Sequence, residues 1–195
     1  EMEDHDFVKE FEEIPGLIRE NFLSTFWCES RAHLADFVNH QGQNIYTRPN
    51  QLFACSLPYT PLDDEVINTI LRACSSELLT TKGLRTLSPK NPLFESHCEG
   101  DPAKRHRATH QGSVWPWLLG PYIDAQFRLH GKSFVNCARD IIGVFEEDMT
   151  EHGIGSIAEL YDGNPPYRPH GCISSARNIA EILRVMNLIE KYDTR

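Results

Sequence analysis

Five stretches of this chain space their apolar residues three and four apart, and an α-helix is the regular structure that gathers such residues on one side. Ile18, Phe22 and Phe26, with Leu23 and Trp27 beside them, form a broad face ending near Cys28. The clearest helix is predicted over 63–79, where Val66, Ile70 and Cys74 make one row and Ile67, Leu71 and Leu78 an adjacent one. Asp63 is placed to cap it, and Asp64 and Glu65 suit the positive end of its dipole. Ser113 is predicted to cap a helix reaching about Leu129, with Pro116 in the first turn, where a missing N–H does no harm. Phe134, Ala138, Ile141, Phe145 and Met149 predict a helix over 132–150. Ala176, Ile179, Leu183, Met186 and Ile189 predict another over about 173–191, and a short helix is expected after Arg48-Pro49-Asn50. Strand signals are few and short and no sequence repeat is visible, so the chain reads as all-α.

Two segments do not suit a plain bundle. Residues 80–112 hold Gly83, Pro89, Pro92, Gly100 and Pro102 with no sustained apolar period, and residues 151–171 hold four glycines and three prolines. Ordered helix connections usually take about 2–8 residues. Both segments are rich in Arg, His, Glu, Asp and Tyr, a composition that favours a shaped site over a linker. The first fifteen residues carry seven acids and one Lys and read as a solvated start. The chain therefore divides into an acidic lead-in, 1–16, and a main domain, 17–195.

Charge and composition exclude several classes. Acidic residues outnumber basic ones 28 to 19, and the net charge of -9 argues against nucleic acid as a partner. Lys104-Arg105-His106-Arg107 is too short a basic run to reverse that. No stretch approaches the roughly 18 apolar residues of a membrane span. The six cysteines form no Cys-x-x-Cys pair and fall mostly among apolar helical residues. With no Asn-x-Ser/Thr site, this favours a reducing, cytoplasmic setting.

Several short motifs carry candidate chemistry. His97-Cys98-Glu99, and His106 with His110, match no standard zinc framework, so no metal is assigned. Gly153, Gly155 and Ala158 mimic a dinucleotide fingerprint but follow an acid-rich helix rather than a strand. In His110-Gln111-Gly112-Ser113-Val114-Trp115-Pro116-Trp117, polar donors stand beside two indoles. Sugars want that combination of planar apolar faces and fixed hydrogen-bonding groups, and so does a plain capped helix with two core tryptophans. In Ala158-Glu159-Leu160-Tyr161-Asp162-Gly163, a carboxylate lies between apolar neighbours, as a general base or a loop salt bridge does. Asp162-Gly163 is also a good turn. Arg48-Pro49-Asn50 and Gly83-Leu84-Arg85-Thr86-Leu87 offer arginines that tie down carbonyls, bind a substrate hydroxyl or orient Glu159.

The order of these motifs, completed by Pro169 and Gly171-Cys172, resembles the amylo-α-1,6-glucosidase domain of glycogen debranching enzymes over roughly residues 17–190. The resemblance implies the C-terminal half of an (α/α)6 toroid, a ring of paired helices whose loops line a sugar pocket. A full ring needs about twelve helices and six or seven are counted here. The N-terminal remainder of a parent polypeptide is thus an expected partner. The implied reaction is inverting hydrolysis of α-1,6-linked glucose at branch points of glycogen or a related α-glucan, with Glu159 as general base. The general acid of the family lies in an upstream Trp-x-Asp motif that this chain lacks, since Trp27 is followed by Cys28 and Glu29. The acid is therefore expected outside the chain, and Asp36 is read as structural. Arg48, Asn50, Arg85, His110, Gln111 and Trp115 match pocket motifs and are expected to contact sugar or orient the base. Tyr161 either stacks on the sugar or supports the loop. No cofactor is implied, because two carboxyl groups and water suffice.

One departure stands out. Where the resembling family continues with Gln-Ala-Trp-Ser, this chain has Ser175-Ala176-Arg177-Asn178, which removes an amide donor and an aromatic wall. A non-catalytic glucan-binding or assembly module of toroid ancestry, and a helical scaffold without a sugar site, are the rival readings.

Overall fold

A computed structural model describes residues 5–194; residues 1–4, the outer part of the acidic lead-in, and Arg195 lie outside them. Helices α1 (His5–Phe11) and α2 (Ile14–Phe26) open the described chain. Helix α2 carries only one side of the predicted face inward. Phe22, Leu23 and Phe26 pack on the core, while Leu17 and Ile18 are exposed. Two hairpins follow, β1 (Trp27–Cys28) with β2 (His33–Leu34), and β3 (Val38–Asn39) with β4 (Gly42–Gln43).

The short helix expected after Asn50 is α3 (Gln51–Ser56), and α4 (Asp64–Glu77) sits within the range its periodicity predicts. Asp63 Oδ1 accepts the Val66 N–H at 2.9 Å, satisfying one of the donors left free by the first turn. Ile67, Ile70, Leu71 and Cys74 are buried from α4, and Leu78 just beyond it is fully enclosed. The central element is α6 (Leu119–His130), packed by α3, α4 and α8 (Ala176–Asp193). Eight of its residues are buried, including Leu119, Ile123 and Phe127. Burying each such side chain fully contributes about 1.5–3 kcal/mol. Phe127 stacks on Tyr192 at 4.4 Å between ring centroids, which fixes the far end of α8. Helix α7 (Val135–Glu151) packs on α8. Cys55 and Cys74 lie in this core as free thiols, and burial pushes the Cys55 thiol up to about 12.

Helix α6 does not begin at Ser113. Trp115 precedes a proline, which forces extended backbone on it (φ -120°, ψ 118°). Val114–Trp115 is instead strand β7, followed by a 3-10 turn at Pro116–Leu118. Ser113 is buried, and its hydroxyl donates to Ala108 O at 3.0 Å. Helix α8 also turns differently from its predicted row. Ile182, Val185 and Ile189 face the core, while Leu183 (59% exposed) and Met186 (47%) border a groove against α7.

The all-α expectation needs correction in the two long polar segments. They contain α5 (Pro102–His110), capped by Asp101, and, together with Leu79 and strand β7, they supply a five-stranded antiparallel sheet. Its order is β5 (Leu79–Thr80), β6 (Gly83–Arg85), β7, β8 (Leu160–Tyr161) and β9 (Pro169–His170). Leu84 pairs Trp115, Val114 pairs Tyr161, and Leu160 pairs His170. The motifs around Leu84, Val114–Trp115, Leu160–Tyr161 and Pro169–His170 are joined by this narrow ladder.

Gly83 enters the sheet at φ +134°, and a Cβ there would stand 2.5 Å from the Trp115 carbonyl oxygen. Gly83→Ala is expected to lower unfolding stability by about 1–3 kcal/mol. Gly143, inside α7 with open space around its Cα, is the opposite case. Gly143→Ala is expected to raise stability by about 0.5–1 kcal/mol. Urea midpoints of the two variants, moving in opposite directions, check both.

Candidate functional site

The two polar segments meet at the edge formed by the sheet and the start of α8. Arg48 joins them. Its Nη1 donates to Thr86 O at 2.9 Å and His110 O at 2.7 Å, its Nη2 donates to Gln111 Oε1 at 2.7 Å, and its Nε lies 3.4 Å from Asp36 Oδ2. Asp36 Oδ1 accepts from Asn50 Nδ2 at 2.6 Å. Both oxygens of Asp36 are thus engaged, and the hairpin at 36–44 is tied to the start of α3.

Around this clamp lies an open cavity of about 380 Å³, lined by Arg48, Asn50, His110, Trp115, Trp117 and Arg177 among others. Trp115 is fixed by its indole N–H, which donates to Thr109 O at 3.2 Å. The Arg177 guanidinium carbon sits 4.9 Å from the Trp115 ring and 5.1 Å from the Trp117 ring. Trp115 and Thr109 also wall a second depression of about 260 Å³, which contains Glu159, Arg105, His106 and His170. One indole therefore separates the Arg48 cavity from the carboxylate.

Glu159 is half-buried and held from two directions. Its Oε2 accepts the Cys172 N–H at 2.9 Å, and its own N–H donates to Cys172 O at 3.0 Å. Gly171, at φ +76°, passes so close that any Cβ would strike the Glu159 side chain. On the other side Asn178, fully buried, donates its amide to Ala158 O at 2.7 Å and Glu159 O at 2.9 Å. Asn178 Oδ1 accepts the Trp117 N–H at 3.2 Å. The residue that marks the sequence departure is the link between the Glu159 loop and the indole cavity.

Asp162 is more than a turn residue. It has 0% exposure and accepts from Cys98 N at 2.9 Å, and its oxygens lie 3.2 Å from His97 Nδ1 and 2.7 Å from His170 Nε2. It pins the 97–98 strand of chain and the His170 wall beside Glu159. Sequence reasoning missed this role, because an Asp-Gly pair in a loop carries no sign of burial.

Not every predicted residue reaches the cavities. Arg85 Nε donates to Gly163 O at 2.6 Å and its Nη2 to Tyr167 Oη at 3.4 Å, so it braces the Glu159 loop from behind. Gln111 spends its side-chain oxygen on Arg48. Tyr161 is 1% exposed and its hydroxyl donates to Asp148, which is also 2.7 Å from Lys82 Nζ. Burial, then Asp148, push its phenol well above the usual range. Of the two readings open for Tyr161, this geometry is loop support and not a stacking surface. Among the described residues no group of three or more His, Cys, Asp or Glu side chains converges to hold a metal ion, and no helix is long and apolar enough to cross a membrane.

The model of the amylo-alpha-1,6-glucosidase family matches residues 2–184. Neutral trehalase Nth1 from Saccharomyces cerevisiae is similar in structure, with a TM-score of 0.65 at 12% sequence identity. The match takes in 90% of this chain and 30% of the trehalase chain, so this chain spans under a third of that protein's length. At that identity the likeness speaks to fold alone. No curated protein matches the sequence.

Cys172 offers a direct probe of Glu159. Partial burial and the adjacent Glu159 carboxylate both push the Cys172 thiol above its ordinary value, which depletes the reactive thiolate near pH 8. Removing the carboxylate charge lowers that pKa and increases the thiolate. In a Cys137→Ser background, which removes the other exposed thiol, Glu159→Gln is expected to speed iodoacetamide alkylation of Cys172 several-fold at pH 8. Unchanged kinetics would place the two groups apart.

Proposed function

The chain belongs to the amylo-alpha-1,6-glucosidase family, and from that premise we propose that it supplies part of a site for inverting hydrolysis of α-1,6-linked glucose on a branched α-glucan. The observation that carries the reading is Glu159, presented in an open depression that shares the Trp115 indole with a cavity lined by polar donors and aromatic faces.

In this reading Trp115 and Trp117 meet the apolar C–H faces of the sugar, while Asn50 and His110 meet hydroxyls. Glu159 accepts a proton from water as the water oxygen bonds to the anomeric carbon. The glycosidic C–O bond breaks, and its oxygen takes a proton from a carboxylic acid on the opposite side of the sugar. Inverting pairs stand ~6.5–9.5 Å apart to leave room for that water. The Cys172 N–H holds one Glu159 oxygen, leaving the other to accept the proton. Arg48, Gln111 and Arg85 act as positioning residues, through the loops they brace.

We assign the acid to a segment outside this chain, which would also extend the helices toward a complete (α/α)6 ring. Asp36 is a poor donor, since Asn50 and Arg48 occupy both of its oxygens. A second reading, a glucan-binding module without turnover, draws on one observation. Among the described residues, Glu159 is the sole carboxylate lining either cavity.

In the complete parent protein, Glu159→Gln is expected to cut glucose release from a branched limit dextrin by roughly 10²–10⁴-fold with an unchanged circular dichroism spectrum. Near-normal turnover would remove Glu159 from the mechanism. The purified 195-residue chain alone is expected to release no measurable glucose. Robust turnover by it would overturn the external acid. Calorimetric binding of maltooligosaccharides by an inactive parent would favour the binding module.

A further inference from the structure

The Arg48 cavity is lined by two arginines, one histidine and two indoles, and by no carboxylate among the described residues, in a chain whose net charge is -9. The two arginines differ. The Arg48 charge is met by Asp36, and its donors are taken by Thr86, His110 and Gln111. Arg177 is exposed and lies over Trp115 and Trp117, and it makes no hydrogen bond or ion pair among the described residues. The acid on the next turn of α8, Glu181, is committed to Arg184 at 2.7 Å. A guanidinium over ring faces uses its π surface and keeps its five N–H donors, which lie in its plane.

From this we infer that Arg177 makes the cavity a site for sugars bearing an anionic substituent, a phosphoryl ester or a carboxylate, seated against the Trp115–Trp117 platform. The inference rests on the sugar-cavity reading above and narrows it. The physical preference follows from the magnitudes. A cation–π contact at an exposed site is weak, whereas a charge-assisted, bidentate guanidinium–oxyanion bond is among the strongest polar contacts a protein makes. An oxyanion can therefore engage the N–H edge while the guanidinium keeps its place on the indoles. A neutral glucose unit gains no such bond and must share the indole faces with a charged side chain. The residue at 177 thus sets a positive charge against the indole platform, and the substrate class that benefits is anionic.

Calorimetric titration of the 195-residue chain with maltotriose, with 6-phosphomaltotriose and with a maltotriose ending in glucuronate tests this at fixed ionic strength. The phosphoryl ligand is expected to bind at least about tenfold more tightly than maltotriose, the gain of one charge-assisted hydrogen bond. The glucuronate arm tells whether a carboxylate serves as well. Arg177→Gln is expected to bring the three affinities within about twofold of one another, with an unchanged circular dichroism spectrum, and Arg177→Lys to retain part of the preference. If Arg177→Gln fails to fold, the wild-type and Arg177→Lys titrations still decide. Equal wild-type affinities, a preference that survives the loss of Arg177, or tighter maltotriose binding by Arg177→Gln with no anionic preference in the wild type would each overturn the inference while leaving the glucan reading intact. Arg177-dependent binding of the anionic ligands with no binding of maltotriose would sustain the inference and overturn the neutral-glucan reading. Binding of none of the three would overturn both.

Discussion

The Arg48 guanidinium ties its own segment to three others, at residues 36, 86 and 110–111. Its donors meet the carbonyls of residues 86 and 110 and the side chain of Gln111, and its charge meets Asp36. A lysine has one compact charge and no planar fork, so it cannot hold these partners in this geometry. The cavity floor depends on that fork. With Arg48 in place, the end of α5 and the residue just after β6 stand side by side, and Trp115 is the wall between two depressions. The charge pair itself is largely buried, which makes the geometry demanding: the desolvation cost of both ions is offset only when every lone pair and N–H is met.

A second, smaller knot sets the carboxylate. Glu159 sits at the edge of a sheet of two- and three-residue strands, too short to hold a loop by backbone pairing alone. Three side-chain or backbone devices supply the rest: the Cys172 N–H, the close pass of Gly171, and the buried Asn178 amide. Asn178 belongs to α8, so the position of Glu159 is referred to the most deeply packed part of the chain through that helix and α6. Asp162 does the same for the wall opposite, by burying a carboxylate under one N–H and two imidazoles.

What was legible in the sequence follows from this division. Helix α4 could be read almost to its ends, because a capping Asp63 and a full apolar row point to the same structure. Helix α5 could not, since Ala108 is its one buried residue and only the Asp101-Pro102 start announces it. The helix drawn from Ser113 was wrong at its beginning, where the Trp-Pro step outweighs a good capping residue. The sheet left no trace, because alternation needs more residues than its strands possess. Glu159, Arg48 and Trp115 were visible as members of an ordered series of motifs. Asp162 and Asn178 were hidden, because their work lies in long-range hydrogen bonds that no local pattern encodes, and Tyr161 and Arg85 were drawn toward the site by motifs that in fact brace it from behind.

The four residues Ser175-Ala176-Arg177-Asn178, at the start of α8, do three physical things. Ser175 caps the helix, accepting the Asn178 N–H at 3.4 Å, and so keeps a local function. Asn178 takes over the internal wiring, with a side chain long enough to reach two carbonyls and one N–H at once. Arg177 alone faces the cavity, and it brings charge where the indole platform is apolar. A drifting loop would be expected to leave buried polar atoms unmet at such positions, because each unsatisfied group costs about 1–3 kcal/mol. Instead the substituted residues satisfy the backbone of the Glu159 loop. The start of α8 therefore fixes the backbone of the Glu159 loop through Asn178 and presents the charge of Arg177 to the adjoining cavity.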